Sequence, residues 1–410
     1  MTFGADGAAG PRLGVGFRWL AASSWSTNLS DGIRMAAGPL LVASQTNDAL
    51  LVALAALVQW LPPLLFALFA GALSDRVDRR LLIMFVNGVR TAILVLIAVA
   101  ILTDTISVGV VLVALFLLGT AEVFADNTSQ TLLPMLVRRD DLARANSRLQ
   151  AGFITLQLAG PPLGAALFVA GMAWPFVTQA VLVAAGALLV SRVVLPSHGR
   201  DPGRASHIRQ DVAEGIRWVR HHAAVRTLVL TVFTFNITFG AAWSVLVLYA
   251  TQRLGLGEIG FGLLTTVSAA GGLLATLSYG WITRRVSLGN IMRIGLIIET
   301  LTHLGLAITT IPWVAMAIFF VFGAHTFVWG TTSITVRQRA VPLELQGRVG
   351  SVSTVGSFGG LVIGAGVGGL LAQRFGVTAP FWFAFAGSAV LVLLIWRQLA
   401  HIAHADERPS

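Results

Sequence analysis

Ionisable side chains inside long apolar runs are the residues of this sequence that could do chemistry. A charge in hydrocarbon is costly unless it is paired or hydrated, so each one implies a partner or a water-filled cavity. Carboxylates and imidazoles in such places can bind and release protons, and guanidinium groups can hold an anion. The residues of this kind are Asp31, Arg34, Arg90, Glu122, Asp126, Glu299, His303 and His325.

The first pair is Asp31 and Arg34, which are three residues apart and therefore share one face of a helix. Asp31 is predicted to bind a proton or a cationic group, tuned by Arg34. The alternative is a structural pair in which the two charges neutralise each other. Arg90 lies deep in the third run, where it either holds an anionic substrate or pairs with an acidic residue of a neighbouring helix.

Three further groups follow the same logic. Glu122 and Asp126 are four residues apart, so their carboxyl groups could share a proton, and Glu122 is the better candidate for protonation. Glu299 and His303 are also four apart and form either a proton or substrate site or a hydrogen-bonded structural pair. His325 is alone in its run, and it is either a satisfied buried histidine or a group that titrates in the working range.

The elements that position these residues are predicted to be membrane-spanning helices. The chain has 410 residues, is 56% hydrophobic and has a mean hydropathy of +0.80, which excludes an ordinary soluble domain. About 20 apolar residues cross the hydrocarbon core as a helix. Twelve such runs are 17–43, 48–74, 79–103, 106–129, 146–170, 175–195, 226–251, 260–283, 290–310, 313–336, 347–373 and 378–397.

The distribution of arginine predicts the orientation of these helices. All 28 basic residues are Arg. With the N-terminus inside, the outward connections carry only Arg253 and Arg374, as the positive-inside rule requires. Both termini are therefore predicted to be cytoplasmic, and the net charge of +10 favours contact with lipid headgroups and not with nucleic acid. Trp60 and five other tryptophans near run ends are predicted to be interfacial anchors, and Trp25, Trp243 and Trp329 lie deeper.

An internal repeat predicts two halves. A shift of 208 positions aligns Asn28 with Asn236, Gly32 with Gly240, Gln130 with Gln338, Pro134 with Pro342 and Gly160 with Gly368. Two pseudo-symmetric six-helix halves, 1–195 and 226–410, would then enclose a site near the midplane. The polar linker 196–225 is predicted to contain an amphipathic helix at 207–222 on the inner membrane surface. The alternative is a disordered tether, because Gly215 weakens the helix.

A charged stretch at 71–80 carries the first resemblance to a known family. The residues that match are Gly71, Leu73, Asp75, Arg76, Arg79 and Arg80, and their spacing resembles the loop between helices two and three of the major facilitator superfamily. The resemblance implies twelve transmembrane helices and a conformational switch at this loop. Gly71 would allow close helix approach, and Asp75 would cap a helix of the other half.

The remaining residues of the loop have implied partners. Arg76 would pair with Asp126 as a conformational latch. Arg79 and Arg80 would pair with carboxylates or lipid phosphates, or act as plain positive anchors on the inner side.

Other stretches are similar to drug-exporting members of the family. Gly160, Pro161 and Gly164 resemble the Gly-Pro-x-x-Gly core of a motif of drug:proton antiporters. Residues 133–146 and 338–349 resemble the macrolide-efflux and enterobactin-exporter branch. The chain departs from the family pattern at Asp78, where a glycine is common, and at Thr283, the repeat position of Asp75. It also has 120–122 as Thr-Ala-Glu in place of the helix-four arginine motif.

These resemblances imply a secondary transporter of the bacterial inner membrane, not an enzyme. It would export an amphipathic small molecule such as a drug, macrolide or siderophore against inward proton flow, by alternating access. Its partners would be the small molecule, protons and lipids, with no cofactor beyond the proton-motive force, no metal, and a monomer as the functional unit. Cysteine is absent, and so is a phosphate-binding loop. The alternatives are an importer or lipid translocase of the same fold, and a sensor or scaffold that transports nothing.

Overall fold

Helices make up the regular structure in the computed structural model, which describes residues 13–74, 77–138, 141–194, 208–342, 345–396 and 398. Those residues contain no β-strand, so the predicted all-α class is confirmed. The helices are α1 Val15–Gln45, α2 Ala49–Ser74, α3 Arg79–Leu102, α4 Val108–Leu136, α5 Leu142–Ala170, α6 Trp174–Val190, α7 Ile208–His221, α8 Ala223–Trp243, α9 Leu246–Leu248, α10 Glu258–Arg285, α11 Leu288–Ile308, α12 Pro312–Ala340, α13 Gln346–Phe375 and α14 Ala379–Ile395.

Length and hydropathy make this a multi-pass membrane protein. Within the described residues, eight helices are long and apolar enough to cross a bilayer, and three apolar helical segments are shorter. The helix α1 has 31 residues but is not one of the eight, and its sequence includes Ser, Thr and Asn together with Asp31 and Arg34. The count of twelve spans therefore stays a prediction.

Helix ends coincide with residues that satisfy the free backbone groups of a first turn. Asp78 caps α3 by accepting from the Leu81 backbone N–H at 3.1 Å. Ser287 caps α11 by accepting from Asn290 at 3.4 Å, and His222 caps α8 by accepting from Val225 at 3.3 Å. These caps lie between apolar runs, so they fix where one helix stops and the next begins.

The N-terminal set of helices, α1–α6, and the C-terminal set, α8–α14, pack by equivalent pairs. The helix α1 packs on α5 and α6 as α8 packs on α13 and α14, and α2 packs on α4 as α10 packs on α12. Glycines permit the closest of these contacts: a Cβ at Gly164 would lie 2.5 Å from the Ile33 carbonyl oxygen, and one at Gly368 would lie 2.7 Å from the Ala241 Cα. Under the shift of 208, the residue of α5 that corresponds to Gly368 is Gly160, which packs on the backbone of Gly32 and Ile33.

The two sets meet at one end of the bundle, which we call the tether end and which contains residues 46–48 and 376–378. There α2 packs on α13 and α5 packs on α10. Gln373 donates to both carboxylate oxygens of Asp48 at 3.3 Å, and a Cβ at Gly369 would lie 2.8 Å from the Ala53 Cβ. One buried apolar cluster joins both sets here and includes Leu41, Val52, Phe168, Leu246, Phe261 and Phe381.

The opposite end, which we call the motif end, contains residues 77–78 and 341–342. Among the described residues, its buried apolar side chains form separate clusters for the two sets. One cluster includes Phe17, Ile83, Leu132 and Val190 of the N-terminal set, and others include Met292, Val336, Val341 and Val349 of the C-terminal set. Among the described residues, a buried apolar cluster therefore joins the two sets at the tether end and none joins them at the motif end.

The predicted seventh run, 226–251, is not one continuous helix, and that prediction was wrong. The helix α8 ends at Trp243, a turn occupies 244–245, and α9 continues into a π-helical turn at Tyr249–Arg253. No Gly or Pro marks the break, so the sequence carries no signal for it. Broken backbone within a membrane is tolerated where it borders a cavity, and Ser244, Leu246 and Val247 do line one.

The helix predicted at 207–222 is present as α7, Ile208–His221, and it packs on α13 and α8. Val219 is buried with Val225, Val341 and Val349. Gly215, expected to weaken the helix, lies so close to α13 that a Cβ there would be 2.7 Å from the Arg348 carbonyl oxygen. Glu214 pairs with Arg348 at 2.7 Å, which anchors α7 to the C-terminal set.

Candidate functional site

A cavity of about 480 Å³ lies between the two sets of helices, next to the tether end. Both sets line it, through α1, α2 and α5 on one side and α8, α9, α10 and α12 on the other. Its aromatic lining residues are Trp60, Phe239, Trp243, Phe261, Phe319, Phe322 and Phe327, and its polar ones are Gln59, Ser244, Thr265, Ser268 and Thr326. No ionisable residue is among the described residues that line it.

Aromatic stacking builds the wall that the C-terminal set contributes. The Trp243 ring lies 4.5 Å from the Phe239 ring and 4.5 Å from the Phe322 ring, and Phe319 lies 5.4 Å from Trp243. Large rings with a few hydroxyl and amide groups suit a ligand that is mostly apolar and carries scattered polar atoms. The cavity therefore matches an amphipathic small molecule and offers no charged partner for an ion.

The tryptophans are only partly where the sequence places them. Trp243 lines the cavity, whereas Trp25 is 42% exposed and Trp329 is buried beside Phe235 at 5.5 Å. Trp60, predicted to be an interfacial anchor, also lines the cavity, so that prediction was wrong. Trp60 is the twelfth of the 26 residues of α2, so it lies at mid-helix and not near a helix end.

Two ion pairs, one buried and one partly buried, lie within the N-terminal set, behind the cavity wall. Asp31 of α1 pairs with Arg90 of α3, and both side chains are 3% exposed. Arg34 of α1 pairs with Glu122 of α4. The sequence placed Asp31 and Arg34 as mutual partners, but each instead takes a partner on another helix. Of the two roles considered for Arg90, the structure shows the ion pair with an acid of a neighbouring helix.

This four-residue network is balanced in charge, with two carboxylates and two guanidinium groups. Arg90 also donates to the Asn87 side chain at 3.5 Å. Buried pairs of this kind are strongly destabilised when one partner is removed, because the other charge is left uncompensated. The network therefore ties α1 to α3 and α4.

The conformational-switch loop is only partly described. Asp75 and Arg76 lie outside the described residues, so the cap predicted for Asp75 and the latch between Arg76 and Asp126 stay predictions. Gly71 is helical, at the end of α2. Asp126 is half-buried on α4, and it makes no ion pair to another described residue.

Arg79 and Arg80 begin α3 and bind carbonyls of the N-terminal set. Arg79 donates from Nε to the Ser74 carbonyl at 3.3 Å, and Arg80 donates from Nη1 to the Val193 carbonyl at 3.2 Å. These bonds join the motif ends of α2, α3 and α6. Arg79 and Arg80 were predicted to pair with carboxylates or lipid phosphates, or to act as plain positive anchors, and backbone carbonyls were not considered.

A second cluster lies within the C-terminal set and consists of Glu299, His303 and His325. Nε2 of His303 donates to Oε1 of Glu299 at 2.8 Å, and Nε2 of His325 donates to Oε2 at 3.1 Å. All three side chains are at most 1% exposed. The pair Glu299 and His303 was visible in the helical spacing. His325 joins it from α12, which the sequence could not show.

The helix-five residues lie against α1. Gly160 packs on the backbone of Gly32 and Ile33, and Gly164 packs on Ile33, so α1 and α5 approach closely. Pro161 lines the cavity, and a Cβ at Gly262 of α10 would lie 3.7 Å from its carbonyl oxygen. These residues therefore sit where the N-terminal set meets the cavity and the C-terminal set.

Most of the cavity residues were missed by sequence reasoning. Gln59, Phe319, Phe322 and Ser268 are ordinary membrane-helix residues, and neither their types nor their spacing set them apart. The charged residues drew attention because burying them is costly, yet they stand behind the cavity wall. The site is thus made of uncharged residues that only the packing of the helices brings together.

Known proteins resemble the chain along most of its length. The model of the Major Facilitator Superfamily matches residues 20–361 and again 228–410. Macrolide efflux protein A of Streptococcus pyogenes is 21% identical over 371 residues, covering 86% of this chain and 88% of that protein. The same description and figures hold for a protein of a serotype M6 strain of that species.

Solved structures show the same fold. A nucleoside transporter, NupG, superposes with a TM-score of 0.77 at 10% identity and covers 93% of this chain and 99% of that one. A bacterial homologue of the iron transporter ferroportin, in an inward-facing state, gives a TM-score of 0.73 at 19% identity and covers 96% and 99%. The chain belongs to the Major Facilitator Superfamily, resembles its macrolide-efflux branch, and is a membrane transporter and not an enzyme.

Proposed function

We propose that this chain is a proton-coupled exporter of amphipathic small molecules, of which macrolides are the leading class. The observation that carries the proposal is the uncharged, aromatic cavity of about 480 Å³ between the two helical sets. Its chemistry suits a large, mostly apolar ligand with dispersed hydroxyl groups. The likeness to macrolide efflux protein A favours the same ligand class.

Alternating access is the mechanism that we propose for it. Two halves, 1–195 and 226–410, joined by the linker 196–225, rock about the cavity and open it to one side at a time. The contact between Gln373 and Asp48 and the shared apolar cluster at the tether end support this state as the one closed on that side. With both termini cytoplasmic, the tether end faces outward and the cavity is poised to load from inside the cell.

Energy comes from proton flow in this proposal, with no cofactor, in the inner membrane of a bacterium and with a monomer as the working unit. Protonation must favour one state over the other for coupling to occur. The buried carboxylates and imidazoles described above are the groups able to do this, since the cavity itself has no ionisable lining among the described residues.

The test is transport by purified protein in sealed proteoliposomes that carry a proton gradient with an acidic lumen. Radiolabelled erythromycin is the first probe, followed by tetraphenylphosphonium and enterobactin. We expect erythromycin to accumulate in the lumen and to release lumenal protons, and an ionophore should abolish both signals. Accumulation driven by the reversed gradient would indicate an importer. Absence of movement for every probe, with folded protein, would contradict the proposal.

A further inference from the structure

The cluster of Glu299, His303 and His325 carries a charge that nothing described around it balances. The Glu299 carboxylate accepts a hydrogen bond from Nε2 of each histidine, so each imidazole has its proton on Nε2. An imidazole with a proton on Nε2 and none on Nδ1 is neutral. Nδ1 of both histidines is buried and has no hydrogen-bond partner in the part of the chain that the structure describes. The three groups together then have one negative charge, and a single added proton makes them neutral.

The helices packed around the cluster supply no compensating charge near it. Apart from the cluster itself, the described charged residues of these helices lie in the terminal turns of α8, α10 and α12 and in the second turn of α11: Arg226, Glu258, Arg284, Arg285, Arg337 and Arg339, and Arg293. The described part of α14 has no charged residue. Of the tyrosines, Tyr249 donates to the Leu306 carbonyl at 2.7 Å and Tyr279 bonds the Thr332 hydroxyl at 3.2 Å. Arg293 is bound to the Trp396 carbonyl at 3.0 Å.

The two ion pairs of the N-terminal set are different in this respect, although Asp126 of α4 makes no ion pair to another described residue and stays a further candidate for protonation. Asp31 and Glu122 each have an arginine, and protonating either carboxylate would leave a buried guanidinium without its partner. A proton added to the C-terminal cluster removes an uncompensated charge, whereas one added to the N-terminal network creates one. Because a charge in a low-dielectric interior is costly, proton binding is favoured at the C-terminal cluster over Asp31 and Glu122.

The cluster also touches the wall of the cavity. The His303 ring meets Trp243 edge-on, with centroids 6.1 Å apart and planes at 87°. The His325 ring meets Phe322 in the same way, at 5.8 Å and 78°. Trp243 and Phe322 both line the cavity and stack on each other at 4.5 Å. A positive charge on either imidazole therefore changes its electrostatic interaction with Trp243 or Phe322, and these are rings that a ligand in the cavity would contact.

We infer that Glu299, His303 and His325 form a proton-binding site that is coupled to ligand binding through Trp243 and Phe322. This inference rests on the proposed function and specifies where its proton binds. The proton adds to an unpartnered Nδ1 atom and no covalent bond is broken. His325 also lines a separate groove of about 350 Å³ between α10, α11 and α12, so its ring borders a space other than the ligand cavity. Linkage is reciprocal: if protonation of the cluster changes the protein's affinity for a ligand, binding of that ligand changes the proton affinity of the cluster by the same factor.

The first test needs no ligand. Tryptophan fluorescence of the protein in nanodiscs is followed from about pH 5 to about pH 8, where histidine ordinarily titrates. We expect a titrating component that disappears in Trp243→Phe, Glu299→Gln and His325→Gln. It should persist in His221→Gln, which changes an exposed histidine of α7. A component that is absent from the wild type, or that survives in Glu299→Gln, would overturn the inference. Size-exclusion profiles and circular dichroism establish that each variant is folded, and two independent cluster variants guard against one misfolding.

The second test measures protons exchanged when erythromycin binds, by calorimetry in two buffers of different ionisation enthalpy. The wild type should exchange a proton on binding, and its affinity should change by about tenfold per pH unit where that exchange is complete. Glu299→Gln should bind with no proton exchanged and with a flat pH profile. Erythromycin binding without proton exchange in the wild type would refute the site and leave the exporter proposal standing. Failure of erythromycin to bind would refute the ligand class, and the fluorescence titration would then decide the site by itself.

Discussion

Asp31 and Arg90 form an ion pair between α1 and α3 in which both side chains are 3% exposed. The two residues are 59 positions apart in the chain, and Arg34 does not take part in the pair. The pairing changes what a substitution at Asp31 means. Removing the carboxylate deletes a candidate proton acceptor and also leaves the Arg90 guanidinium buried without its counter-charge.

We therefore expect Asp31→Asn to lower both stability and uphill export. Breaking a buried pair from one side costs about 3–5 kcal/mol. The double variant Asp31→Asn with Arg90→Gln should regain much of the melting temperature, because no charge is then left alone. Thermal unfolding in detergent and erythromycin efflux are measured together. If stability returns but export does not, Asp31 has a role beyond the pair. Unchanged export in Asp31→Asn would contradict any role in coupling.

Removing a ring from the cavity should weaken ligand binding without unfolding the protein. Phe327→Ala deletes an aromatic lining residue that does not touch the Glu299 cluster. The lost apolar contact predicts a loss of about tenfold in erythromycin affinity. The matched control is Phe375→Ala, whose ring is 72% exposed at the tether end of α13. Equal affinities for the two variants would show that the cavity is not where erythromycin binds.

The close approach of α1 and α5 should not tolerate a side chain. A Cβ at Gly164 would lie 2.5 Å from the Ile33 carbonyl oxygen, so Gly164→Ala must push the two helices apart. We expect a lower melting temperature and loss of transport. Gly88→Ala is the matched control, because a Cβ at Gly88 in α3 meets nothing within 4 Å. Alanine there should be neutral or stabilising, by up to about 1 kcal/mol, since it favours the helix. Similar melting temperatures for the two variants would show that α1 and α5 can separate enough to accommodate a Cβ at Gly164, and would contradict the prediction.

The tether end should have to open for transport to occur. The chain has no cysteine, and Gln373 of α13 donates to Asp48 at 3.3 Å, so Asp48→Cys with Gln373→Cys should be joined across the tether end by a short bifunctional thiol reagent that forms reducible disulfides. We expect the reagent to stop erythromycin export and reduction to restore it, while each single variant continues to export in its presence. Export at full rate by the cross-linked protein would contradict alternating access through this end.

The proposed orientation can be read by labelling with an impermeant maleimide. Asp104 lies in the connection between α3 and α4, and His221 ends α7. In intact spheroplasts Asp104→Cys should react, and His221→Cys should react only after permeabilisation. The reverse pattern would place both termini outside and would invert the direction in which the cavity loads.

Helix placement was largely predictable because it follows local rules. Apolar runs long enough to cross a bilayer predict helices, and caps such as Asp78 and Ser287 mark where they begin. The break at 244–245 was not predicted, because no Gly or Pro marks it in the sequence and the cavity that it borders forms only in the tertiary structure. Trp60 was mispredicted because it was placed near the end of a run, whereas it lies at mid-helix in α2 and its ring lines the cavity.

The sequence by itself determined that this chain is a helical membrane protein of the Major Facilitator Superfamily, and it named the buried ionisable residues. These conclusions depend on composition, run length and motif spacing, which are local properties of the chain. Only the tertiary structure decided that Arg34 pairs with Glu122, that His325 joins Glu299 and that the cavity lining is uncharged. Helical periodicity tells which residues share a face, but the neighbour that this face meets is set by packing between helices far apart in the chain.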